Sequence, residues 1–339
     1  MTTGRKRRGN ISVQLHRCPF DRTIDAPAGG VLARVNFAGG VGGTSLDDGA
    51  PRLTTHMVGE HTEPAEEIWV STLPVTAGLA GEAVFAEDGE HLFYAVRLDA
   101  RPVYRDAVRR MYETALEFAF ERGYTEMARM WNLVGGITDP NAEGVEIYQD
   151  FCVGRAEAFA AWDDRVGRLP AATGIGTLSQ GVDLCFIAVR PGRTTHIENP
   201  RQTPAYEYPV RYGPKSPSFA RATWLRGLDD EPGTLFVSGT ASIVGAETVH
   251  VDDITGQVDE TLRNIEVLVG RENLARYGVE RDFELKDLDQ VRVYVRDAEH
   301  LPLVRDRVRA ALPAHTRIAW FNVDVCRPDL LVEIEGVCR

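Results

Sequence analysis

Apolar and polar positions fall into two similar trains of elements separated by a proline-rich stretch. In the first train, Ala83–Ala86 and His91–Leu98 flank Glu87-Asp88-Gly89, which predicts a β-hairpin. Apolar residues then recur at helical spacing from Tyr104 to Gly123, with Val108, Met111, Ala115, Phe118 and Ala119 on one face. Ala128–Leu133 predicts a strand ending at Gly135-Gly136. A second helix is expected over about 143–167, and the apolar run Val182–Val189 predicts a buried strand.

The second train repeats this order. Thr234–Ser238 predicts a strand that breaks at Gly239, and Val258–Leu274 a helix. Val291–Val295 predicts a strand, His300–Leu312 a helix, and Arg317–Val325 and Leu331–Ile334 two further strands. The repetition predicts an α+β fold of two units, each a mixed sheet backed by two helices. The units are expected over residues 1–195, with a flexible start, and 196–339. Between them, Pro191–Pro217 holds six prolines in 27 residues. Unstructured segments of that length are usually functional or disordered, and its aromatic and basic content favours function.

Composition narrows the class of protein. Of 339 residues, 43% are apolar and 26% charged, as in ordinary globular proteins. No apolar run approaches the roughly 18 residues that span a bilayer, so no membrane partner is expected. The net charge of −12 argues against nucleic acid, and Arg5, Lys6, Arg7 and Arg8 read as a disordered tail. Five cysteines without C-x-x-C spacing argue against a disulfide framework and favour a cytoplasmic location. Eight scattered histidines suggest no metal site. Neither a P-loop nor a dinucleotide fingerprint is present, so no cofactor is expected; Gly174-Ile175-Gly176 and the glycines at 39–43 read as turns.

Against the acidic background, Tyr206–Arg221 carries three cations, three tyrosines, two serines and one acid. Pro209, Pro214 and Pro217 stiffen it, and arginines grip carboxylates through paired hydrogen bonds. That composition suits the wall of a pocket for a small, anionic, partly apolar ligand; a solvated connector is the plainer alternative. Near the C-terminus, alternation puts Glu333 and Glu335 on one strand face and Val332 and Ile334 on the other. An enclosed carboxyl there would be a proton donor near neutrality, whereas an exposed one would be ordinary. Cys326 is a structural thiol or, beside a charge, a reactive one. Val237–Ser242 ends its strand in small residues that let backbone approach a ligand. Tyr148 and Arg155, seven residues apart, share a helix face.

Three blocks in order, Tyr208–Arg221, Val237–Gly245 and Glu333-Ile334-Glu335, resemble the chorismatase family. The resemblance covers most of the chain and is weakest over the first sixty or so residues. It implies a pair of YjgF-like (chorismate-mutase-like) α+β units with chorismate as the substrate. It also implies that Tyr148, Arg155, Tyr208 and Arg221 hold carboxylates, with Lys215 and Arg211 as further candidates. Glu333 matches the family's acid, which protonates the enolpyruvyl ether. Gly239 and Cys326 resemble the branch that forms 3-hydroxybenzoate and pyruvate, a lyase reaction of secondary metabolism. The hydrolytic branch has alanine at the first position and an aliphatic residue at the second. The alternatives are that hydrolytic branch, a branch making both 3- and 4-hydroxybenzoate, and a YjgF-like small-molecule binder or imine deaminase. The oligomeric state, monomer or homotrimer, is left open.

Overall fold

The structure is a computed structural model that describes residues 10–17, 29–229 and 231–339. The basic tail and Cys18 lie outside the described residues. The expected α+β fold is present, but its strands build three mixed sheets and one two-stranded antiparallel ribbon, Ile243–Val244 with Glu247–Thr248.

The two predicted trains form the two six-stranded sheets. In the first, Ala83–Glu87 and His91–Leu98 form the hairpin and helix Arg105–Glu121 follows. Strands Glu126–Gly135 and Ala171–Thr177 run parallel, connected through helix Ile147–Ala161. Val182–Val189 then inserts between His91–Leu98 and Glu126–Gly135. The second sheet repeats each step. Ala222–Leu225 and Thr234–Ala241 form the hairpin, and helix Ile254–Val269 follows. Leu288–Val295 and Arg317–Asn322 are parallel across helix Leu301–Ala311, and Val332–Cys338 inserts antiparallel.

The third sheet lies in the region whose pattern predicted no strands. Gly30–Ala38 and Ala50–His56 are parallel, and Ala65–Ser71 inserts between Ile11–Arg17 and Gly30–Ala38. This is the same strand order without helices between the strands among the described residues. One topological unit therefore occurs three times in one chain, twice complete and once reduced.

Several expected boundaries move. Residues 1–195 hold two sheets rather than one. The 195/196 boundary falls inside strand Thr194–Ile197, which pairs entirely with Ala222–Leu225 of the second six-stranded sheet. The second helix is shorter than expected and is followed by a separate turn of helix at Asp163–Val166. Thr234–Ser238 does not break at Gly239; it continues to Ala241 through an irregular register between Val237 and Thr240. Gly174-Ile175-Gly176 is strand, not turn.

The cores explain the arrangement. Each six-stranded sheet buries one face under its own helices: Tyr112, Leu116, Phe151 and Phe186 in the first, Val258, Ile265, Val304 and Ile334 in the second. The other faces meet the N-terminal sheet in a shared core containing Phe37, Trp69, Trp131, Phe236, Tyr294 and Phe321. Charge is buried there too. Arg292 of the second sheet donates to both carboxylate oxygens of Glu67 in the N-terminal sheet, its Nε at 2.6 Å from Oε1. Its Nη1 also lies 3.2 Å from Glu335. Removing one member of such a pair strands its partner without solvent, which costs about 3–5 kcal/mol. Glu67→Ala should lower stability by that amount in urea unfolding. An unchanged midpoint would mean the ion pair does not join the sheets.

Candidate active site

The cavity of interest opens at the seam between the two six-stranded units. Strand Ala171–Thr177 ends the first sheet and packs against the second, with the Ala172 amide donating to Ser238 Oγ at 3.0 Å. Strands Thr194–Ile197 and Ala222–Leu225 pair and close the base of a long excursion, residues 198–221. That excursion folds back over the seam in two short 3₁₀ turns, Ala205–Glu207 and Val210–Tyr212. It encloses a cavity of about 370 Å3, within the range of small-molecule sites.

The cavity gathers most of the expected residues. Tyr148, Tyr208, Arg211, Arg221, Gly239, Cys326 and Glu333 all line it. Two expected residues do not. Lys215 is exposed on the outside of the loop. Arg155 is buried behind the wall, its guanidinium 5.6 Å from the Tyr112 ring and 5.2 Å from the Phe159 ring. It makes no ion pair among the described residues, and its Nε has no partner. Sequence reasoning passed over Arg327 and Phe219, which also line the cavity, and the buried charges beneath it. Arg327 directly follows Cys326 and lay within a segment already marked for its chemistry.

The two carboxylates of the last strand are enclosed, and their environments push them apart. Glu335 accepts from Arg129 Nη2 at 2.7 Å, from Trp131 Nε1 at 2.8 Å and from the Thr173 hydroxyl. Burial alone would raise its pKa. Arg129 and then Arg292 outweigh burial, with the Thr173 and Trp131 hydrogen bonds, and hold it below the usual carboxylate range. Glu333 has no such partners. Burial first, and the neighbouring Glu335 charge second, raise its pKa to about 8 against the pull of Arg129 and Arg221. At neutral pH one carboxyl is therefore a fixed anion and the other a neutral acid facing the cavity.

The two groups nearest the Glu333 carboxyl on the cavity side, Gly239 and Cys326, are small or neutral. Gly239 lies so close that a Cβ there would overlap the Glu333 carboxyl oxygen. Its position is fixed by the amide, which donates to Thr173 Oγ1 at 2.9 Å. Cys326 Sγ is 4.0 Å from Glu333 Oε2. Burial and the Glu333 charge push that thiol well above its ordinary value, so it is a neutral contact rather than a nucleophile. Arg221 donates to Tyr208 Oη at 2.6 Å and to the Thr203 carbonyl at 2.9 Å, leaving its Nε without a partner. The arrangement can receive an anion and deliver one proton to it.

Comparisons with known proteins show the family. A family model described as "Chorismatase FkbO/Hyg5-like, N-terminal" matches residues 67–188. A protein of Streptomyces hygroscopicus named 3-hydroxybenzoate synthase is 44% identical over 93% of this chain and 94% of its own length. The chain belongs to the chorismatase family. A second relative from the same organism, named chorismatase, is 41% identical over 98% of this chain and 97% of its own. A crystal structure of a chorismatase superposes with TM-score 0.91 at 38% identity, covering 98% of this chain and 99% of that one.

The raised pKa of Glu333 sets a pH dependence for this chorismatase. With Glu333 as the proton donor, activity should be present below about pH 8 and lost as pH rises through that value. The alkaline limb of kcat/KM should lie there. Glu333→Gln should lower the rate about 10²–10⁴-fold and abolish that limb. A folded Glu333→Gln protein with wild-type turnover would exclude the proton-donor role.

Proposed function

We propose that this enzyme converts chorismate to 3-hydroxybenzoate and pyruvate. The observation that carries this reading is the neutral acid Glu333 facing a cavity lined by arginines and tyrosines. Chorismate fits that chemistry, with two carboxylates for cations and an enol ether whose methylene carbon accepts a proton. The relative named 3-hydroxybenzoate synthase supports the product.

The residues take complementary roles. Glu333 gives its proton to the enolpyruvyl methylene carbon, which becomes the methyl group of pyruvate. The bond from the ring carbon to the ether oxygen then breaks, and pyruvate leaves with that oxygen as its ketone. The neighbouring ring hydroxyl closes onto the vacated carbon as an arene oxide and loses its proton. Opening of the oxide and loss of a ring hydrogen give the aromatic product. The atoms of chorismate equal those of the two products, so no water enters. Arg221 and Tyr208 face the cavity as carboxylate ligands beside Tyr148. Arg155 acts from behind Tyr148 as a buried positive charge. Cys326 contributes a neutral S–H contact near the opening oxide.

The absence of a side chain at Gly239 favours this branch over hydrolysis. An alanine methyl there would overlap the Glu333 carboxyl and force it to another position, changing where the proton arrives and where water can stand. Two features bear on the setting of the reaction. Three sheets of one topology already pack together within a single chain, which favours a monomer. Among the described residues no helix is long and apolar enough to cross a membrane, and a cytoplasmic location suits the unpaired cysteines at 152, 185, 326 and 338.

Product analysis in ¹⁸O-labelled water tests the branch. The 3-hydroxybenzoate formed should carry an unlabelled phenolic oxygen, because that oxygen comes from the substrate's ring hydroxyl. Release of a dihydroxycyclohexadiene carboxylate would assign the enzyme to hydrolysis instead. Its ring oxygens would be unlabelled, because water adds to the oxocarbenium carbon and leaves as the ketone oxygen of pyruvate. A mixture with 4-hydroxybenzoate would assign the mixed branch. Gly239→Ala should move product toward the dihydroxycyclohexadiene carboxylate, since the displaced acid no longer keeps water from the oxocarbenium carbon. A Gly239→Ala enzyme with unchanged product ratio would remove this position from branch control.

A further inference from the structure

A dicarboxylate substrate calls for two cations, and the wall of the cavity offers fewer than the loop composition suggests. Lys215 is exposed outside the wall and Arg155 lies behind it. Arg211 lines the cavity, but it is exposed and already ion-paired with Glu247, which also accepts from Tyr212 Oη at 3.1 Å. Arg221 and Arg327 remain.

Arg327 has the features of an unfilled anion site. It sits on the loop between strands Arg317–Asn322 and Val332–Cys338, directly after Cys326. Its guanidinium carbon lies 3.8 Å from the Tyr212 ring centre and 4.8 Å from that of Tyr208. Nη1 donates to the Ala246 carbonyl at 3.1 Å, whereas Nη2 is shielded from solvent and meets no acceptor. No carboxylate pairs with it among the described residues, although Asp329, two residues on, lines the same wall. A buried cation with only aromatic faces and one carbonyl is under-compensated, and a carboxylate would correct that. Arg221 is placed alike, 5.5 Å from the same Tyr208 ring and with an unpartnered Nε.

With chorismate as the substrate, as proposed above, we infer that Arg327 binds one of its carboxylates while Arg221 binds the other. The two guanidiniums share Tyr208 as a spacer, so the separation of the carboxylates becomes a recognition element. The loop carrying Tyr208 and Tyr212 then closes on a ligand through Arg327 rather than through its own lysine.

Calorimetry with three stable ligands tests this. The dicarboxylate is 3-(carboxymethoxy)benzoate; 3-methoxybenzoate keeps only its ring carboxylate and phenoxyacetate only its ether-borne one. Arg327→Gln should bind the dicarboxylate and one of the two monocarboxylates about 10- to 100-fold more weakly, leaving the other unchanged. Arg327→Lys should recover part of the loss, since it restores charge without the planar fork. With chorismate, either variant should raise KM more than it lowers kcat. Unchanged affinities, or equal losses for both monocarboxylates, would overturn the inference while leaving the proposed reaction intact. A wild-type protein that neither binds the dicarboxylate nor consumes chorismate would overturn the functional reading, and this inference with it. If Arg327→Gln does not fold, the Lys variant carries the same comparison through its own selective loss.

Discussion

The buried carboxylate of Glu335 is the constraint on which the rest of the protein depends. It is held by Arg129 from the first six-stranded sheet and Arg292 from its own, and Arg292 also grips Glu67 of the N-terminal sheet. All three sheets therefore meet through one chain of charges in a core otherwise made of aromatic and aliphatic side chains. Buried ions are expensive unless fully paired, so a network of this kind tolerates few alternative packings. It also has a chemical consequence. A permanent anion two residues from Glu333, on the same strand face, makes a second ionisation there unfavourable. The fold thus selects which of two identical carboxyls keeps its proton.

Thr173 carries this constraint from the core into the cavity. Its hydroxyl donates to Glu335 and accepts from the Gly239 amide, so the residue facing Glu333 is set by the same anion that keeps Glu333 neutral. The irregular register at Val237–Thr240 brings that amide to Thr173, and glycine leaves room for the acid. Because Thr173 belongs to the first unit while Gly239 and Glu333 belong to the second, the acid is positioned across the seam. A site built this way needs both units docked before it can act, which is consistent with a single chain holding both.

Much of the two helical units was legible because their pattern agrees with their surroundings. Val182–Val189 is buried on both faces, and a continuous apolar run is what that environment selects. Gly174-Ile175-Gly176, within strand Ala171–Thr177, was misread as a turn because its glycines serve close approach rather than curvature. The Tyr148 ring packs on Gly174, and the Gly176 amide donates to the Asp324 carbonyl at 2.8 Å. The N-terminal sheet was missed because its strands mix threonine, glycine and charge, and no helical pattern marks the spaces between them. At the site, Tyr148, Tyr208, Arg221, Gly239, Cys326 and Glu333 converge as expected. Lys215 and Arg155 show that composition identifies a basic loop or helix without revealing which charges face inward.

The charges that do surround the cavity suggest why the free protein can hold it open. Arg155, Arg221 and Arg327 are each buried with a guanidinium nitrogen that meets no acceptor, and aromatic rings flank all three. Aromatic faces stabilise a cation modestly and, unlike carboxylates, do not neutralise it. Carboxylates in those places would make the fold more stable and the cavity useless, since a dianionic ligand would have to displace them. The carboxyl beside Gly239 and Cys326 is Glu333, and it is kept uncharged. Positive potential is therefore kept at these three guanidiniums, while the charges of Glu335 and Glu67 are neutralised in the core beneath by Arg129 and Arg292. The same separation of charge that costs the empty site some stability is what a dianion and a developing cation each require, the first for capture and the second for shelter from water.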